Sequence, residues 1–125
     1  MTTALHDFAS AAFIASGLNP DTQTSSPTGS AIDMISADGP CFAVQQVGAF
    51  SADTTLAGRI EQSATGTSGW TTIAGATFAD VTAANNVQAI RFTRTQRYVR
   101  YAATVSGVSP SIKVADLIGE QKKTT

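Results

Sequence analysis

Residues 87–114 read VQAIRFTRTQRYVRYAATVSGVSPSIKV. Runs of β-branched and aromatic residues are separated here by turn formers, first around residues 93–96 and then at Ser106-Gly107-Val108-Ser109-Pro110. The pattern predicts strands over 87–93, 97–106 and 111–118, joined as a meander. Side chains alternate across a strand, so Val99, Tyr101, Ala103 and Val105 share one face while Tyr98, Arg100, Ala102 and Thr104 share the other. The first set is the expected core face.

The same punctuation continues toward the N-terminus as far as Ala31. Strands are expected near 31–36, 41–49, 55–63, 70–74 and 76–82. Ala37-Asp38-Gly39-Pro40 reads as a breaker, because glycine is free to take positive φ and proline cannot donate to a ladder. Residues 65–69 and 83–86 read as loops. Leu56, Gly58 and Ile60 oppose Ala57, Arg59 and Glu61, and Ile112, Val114 and Ile118 oppose Lys113 and Leu117. Burying one face of each strand calls for an all-β, two-layer antiparallel β-sandwich over residues 31–125. Residues 1–30 read as an N-terminal arm and loop. In the arm Leu5, Phe8, Ala12 and Ala15 fall at helical spacing, while Ala12-Phe13-Ile14 also suits a short strand. The stretch NPDTQTSSPTGS over 19–30 reads as a long loop.

A chain of 125 residues fits one domain. Only 14% of it is charged, with Thr, Ser, Ala and Gly where Lys and Glu normally stand. Such a surface fits a subunit of an assembly, or a soluble β domain with a Ser/Thr exterior. A formal net charge of −1 gives no electrostatic footprint for nucleic acid or an anionic membrane. No apolar run approaches the ~20 residues of a membrane helix, and the N-terminus lacks the basic region of a secretion signal. Cys41 is the single cysteine, which leaves no intrachain disulfide or multi-cysteine metal site, and it is expected to be buried.

Arg91, Arg94, Arg97 and Arg100 supply four of the eight basic residues at a spacing of three. On a helix this would be a phosphate-binding stripe; on strands and a turn it scatters between faces. That leaves solvated or intramolecular ion pairs, or pairing with carboxylates across a subunit interface. Tyr98 and Trp70 are the candidate contact residues, Trp70 either capping the sandwich or stacking on a ligand such as a glycan. His6 is the only histidine, so neither a Ser-His-Asp triad nor a His-rich metal site can form within one chain. Asp33, Asp38, Asp53, Glu61, Asp80 and Asp116 are dispersed, and no phosphate, dinucleotide or calcium loop is present. No catalytic activity, cofactor or metal is expected.

From Ile32 to Lys122 the chain carries Ile32-Asp33-Met34, Phe42-Ala43-Val44, Leu56-Ala57-Gly58-Arg59-Ile60-Glu61, Gly69-Trp70-Thr71-Thr72-Ile73, Arg97-Tyr98-Val99-Arg100, Thr104-Val105-Ser106-Gly107 and Ser109-Pro110-Ser111-Ile112. This order resembles the jelly-roll-like head decoration, or capsid cement, proteins of tailed bacteriophages. The resemblance implies a virion structural protein on the capsid surface, made in the host cytoplasm. It further implies a homo-oligomer, with a trimer favoured, and the major capsid protein as partner. The intersubunit surface is then expected on the arm (Thr2, Leu5, Phe8), the 19–30 loop and the strand bearing Arg97, Tyr98 and Arg100. A tail or head–tail joining subunit and a carbohydrate-binding module using Trp70 and Tyr98 are the alternatives.

Overall fold

The computed structural model describes residues 12–122 as eight strands with no helix. They are β1 (Ala12–Gln23), β2 (Ile32–Asp33), β3 (Ala37–Phe50), β4 (Thr54–Ser63), β5 (Thr71–Thr77), β6 (Asn86–Phe92), β7 (Tyr98–Gly107) and β8 (Ile112–Lys122). One sheet has the order β1-β8-β3-β6 and the other β2-β7-β4-β5, with every pairing antiparallel. Only β4 and β5 are both consecutive and paired; every other connection crosses between sheets. Eight strands crossing in this way form a jelly-roll sandwich.

The expected β-sandwich is therefore present, with four differences in detail. The strands of 87–114 do not form a meander, since β6 and β8 lie in one sheet and β7 in the other. Spacing along the chain reports where strands start and stop, whereas pairing depends on which apolar faces can meet. Residues 12–23 form β1 along the edge of β8 rather than an arm and loop. Pro20 is tolerated there because an edge strand has one side free of ladder hydrogen bonds, and register shifts on either side of Leu18 absorb the irregularity. Ala37–Pro40 does not end a strand; it is a bulge within β3, between the Ala37 and Cys41 pairings. The two strands expected over 70–82 are one, β5, after which Val81 makes an isolated bridge to Leu56.

Residues 27–29, at the end of the expected 19–30 loop, also pair. Gly29 donates to the Tyr101 carbonyl at 2.7 Å and Ala103 to the Pro27 carbonyl at 3.1 Å, so this segment extends the edge that β2 begins along β7.

The core lies between the sheets and follows the parity read from the sequence. Val99, Tyr101 and Ala103 of β7 are buried, as are Leu56 and Ile60 of β4 and Ile112, Val114 and Ile118 of β8. Ala43, Val47, Met34, Ile73, Phe78 and Phe92 complete it, with Phe13, Ala15 and Leu18 of β1 packed at its margin. Cys41 is buried as expected.

One end of the sandwich is closed by Arg94. Its Nε donates to Glu120 Oε1 at 2.8 Å, Nη1 to the Gln96 carbonyl, and Nη2 to the carbonyls of Met34 and Ala37, each at 2.9 Å. Glu120 is only 2% exposed and also accepts from the Gly39 amide. The guanidinium thus ties the β6–β7 turn, the β2–β3 connection and the end of β8 together. Arg94→Ala leaves the Glu120 charge buried without its partner and is expected to cost about 3–5 kcal/mol of unfolding free energy, measured by urea denaturation.

Candidate functional site

Two polar constellations occupy opposite positions in the sandwich, one on an outer face and one in the core. On the outer face of β2-β7-β4-β5, parity turns Arg59 and Glu61 of β4 outward beside Arg100 of β7. Glu61 accepts from Arg100 Nε at 2.7 Å and from Arg59 Nε at 3.0 Å. Burial pushes its carboxyl up, but the hydrogen bonds from Arg100 and Arg59 prevail and hold it below the ordinary carboxylate value. Arg59 reaches on to the Thr104 hydroxyl, and the Arg100 guanidinium lies 4.3 Å from the Trp70 ring centroid. Arg97 grips both oxygens of Asp33, at 2.9 and 2.7 Å, and this pairing lowers the Asp33 carboxyl to about 2.

Arg97, Tyr98, Arg100 and Trp70 therefore lie on this one sheet, and the two arginines already have carboxylate partners within the chain. Arg97 also stacks over Tyr98, 5.1 Å from its centroid, while the 63–69 loop brings Gly66 against the same ring. Trp70 is half-buried with one face covered by Arg100, which leaves less of the ring for a stacking ligand. Of the four arginines at spacing three, only Arg91 makes no ion pair among the described residues. Thr2, Leu5 and Phe8, together with His6, lie outside the described residues.

The second constellation was not anticipated. Asp116 of β8 is directly opposite Gln45 of β3, and both point into the core. The Tyr101 hydroxyl donates to Gln45 Oε1 at 2.6 Å, while Gln45 Nε2 and both Asp116 carboxyl oxygens have no hydrogen-bond partner among the described residues. Space for these groups is made by glycine: a β-carbon at Gly17 would collide with Asp116 Oδ2, and one at Gly58 with Gln45 Oε1 and the Tyr101 hydroxyl. Burial disfavours the charged carboxylate and raises Asp116 to about 8. It also raises the Tyr101 hydroxyl, and it pushes the Cys41 thiol up to about 12, which makes that sulfur a poor nucleophile. The signal for Asp116 was present in the parity of Ile112, Val114 and Ile118, which puts residue 116 on the inward face.

The described residues contain no group of three or more His, Cys, Asp or Glu able to hold a metal ion. Asp116, the carboxyl that burial raises, is enclosed in the core.

No family model and no curated protein matches the chain. Among solved structures it is similar to a chain in the structure of infectious bursal disease virus, Gx strain, with a TM-score of 0.57 and 13% identity. The match covers 91% of this chain and 33% of the viral one, so this protein spans about a third of that chain's length. At this identity the likeness is one of fold.

Asp116 carries a pH dependence of defined sign. Its pKa is raised on folding from 3.8 to about 8, so between those values the folded chain keeps a proton that the unfolded chain has lost. Stability from this group is complete below about pH 4 and is lost as pH rises to about 8, with a slope of up to about 1.4 kcal/mol per pH unit. The lowered Asp33 and Glu61 act in the opposite sense, and only as pH falls through the acid range. Thermal denaturation from pH 4 to 9 should show the downward slope in the wild type and a flatter one in Asp116→Asn.

Proposed function

We propose that this chain is a non-catalytic virion structural protein that decorates and stabilises the capsid of a tailed bacteriophage. The observation that carries the reading is the jelly-roll order β1-β8-β3-β6 over β2-β7-β4-β5, which aligns over 91% of the chain with part of a virus structure. The sequence resemblance to head decoration proteins supplies the narrower assignment. Two further features support it: a small charged fraction, and outer-face arginines whose carboxylate partners lie within the chain.

The mechanism is linkage. A protein that binds the assembled shell and not its separated subunits stabilises the shell by mass action, in proportion to the sites it fills. The major capsid protein is the partner, and the work is done by surface contacts rather than by a reaction. The resemblance implies a homo-oligomer, with a trimer favoured.

Shells assembled with and without the protein are expected to differ in heat resistance, followed by light scattering or calorimetry, with the decorated shell disassembling at the higher temperature. Equal disassembly temperatures would remove the cementing role. Copy number separates this reading from a head–tail joining ring: a decoration protein is expected in hundreds of copies per particle, whereas a ring with closed cyclic symmetry holds about six or twelve.

A further inference from the structure

The outer face of β1-β8-β3-β6 holds a recess of about 310 Å³ with an apolar lining. It runs across the strands rather than along them. Ala12 of β1 stands at one end, Gln121 of β8 and Pro40 of the β3 bulge form one side, Phe42 forms the other, and Arg91 of β6 closes the far end. Phe42 lies across Gly119, where any β-carbon would strike its ring, so the ring rests against the sheet. Glu120 also borders the recess but is 2% exposed and already paired with Arg94. Arg91 is exposed and makes no ion pair among the described residues.

The chain enters β1 at Ala12, so the recess begins where the residues outside the described range join the sandwich. The five residues before Ala12 read Asp7-Phe8-Ala9-Ser10-Ala11. Strands about 4.8 Å apart put β6 roughly 14 Å from β1 across this sheet, and five extended residues span about 16 Å. Counted back from Ala12 along the recess, the three small residues pass Gln121, Phe8 falls beside Pro40 and Phe42, and Asp7 falls at Arg91.

We infer that residues 7–11 fill the recess of their own chain, with the Phe8 ring against Pro40 and Phe42 and the Asp7 carboxylate on Arg91. Three features select this occupant. The first is position, because a segment joined directly to Ala12 meets the recess at an effective concentration of about millimolar order or above, which an untethered partner has to exceed. The second is the order of residue sizes, with the one large apolar side chain of the five at the distance of the apolar walls. The third is charge: the segment carries a single acid, at the distance of the arginine that has no partner among the described residues. Burial of the Phe8 ring supplies most of the attraction, and the exposed ion pair fixes the register.

The inference does not depend on the virion reading, because purified protein alone tests it. It places Phe8 on its own chain rather than between subunits.

Nuclear Overhauser spectra of the full chain should connect the Phe8 ring protons to the side chains of Pro40 and Phe42. In an equal mixture of carbon-13-labelled and unlabelled chains, isotope-filtered spectra should contain none of these effects, since they arise within one molecule. Asp7→Arg and Arg91→Asp should each lower the melting temperature by about 2–4 °C, and the double variant should recover the loss. Absence of the Phe8 effects in the wild type overturns the inference. So do filtered effects between chains, which put a neighbour's segment in the recess, or a double variant whose losses add.

Discussion

Strand β8 is the constraint on which the remainder of the molecule depends. It lies between β1 and β3 and is the only strand contacted through backbone pairing by both. Its two-residue alternation sends Ile112, Val114, Asp116, Ile118 and Glu120 inward and Lys113, Ala115, Leu117, Gly119 and Gln121 outward. A slip of one residue would exchange the two sets and expose the core. Register is held at one end by Glu120 under Arg94, a charge that tolerates no other position because its partner is fixed by three backbone carbonyls.

The same strand links the stability and the surface properties of the protein. Inward, it carries a paired carboxylate at Glu120 and an unpaired one at Asp116, so one acid fixes the end of the sandwich while the other makes the core sensitive to pH. Outward, it supplies the apolar centre of a face whose counterpart across the sandwich is ion-paired within itself.

Much of the sandwich was legible because apolar alternation is local. Val99, Tyr101 and Ala103 point inward as their spacing requires, and β4, β7 and the start of β8 fall where their turn residues put them. Sheet order was not legible, because which strand lies beside which is decided by contacts among residues distant in sequence. That is why β6, β7 and β8 read as a meander although none pairs with another. Strand β1 was hidden by Pro20 and a polar second half, features that an edge strand accepts and a central one does not. The arginines were legible as strand residues but not as ion-paired ones, since Asp33 is 64 positions from Arg97 and Glu61 is 39 from Arg100. Asp116 was hidden by its chemistry: a carboxylate is assigned to the surface by default, even where parity points inward.

The placement of β8 can be tested directly by nuclear Overhauser effects between backbone protons of the purified chain. This account predicts cross-strand effects from Leu117 to both Ser16 and Val44, from Asp116 to Gln45, and none between β7 and β8. Cross-strand effects linking β8 to β7, with Leu117 and Val44 unconnected, would contradict the jelly-roll order, and with it the buried carboxylates and the apolar outer face.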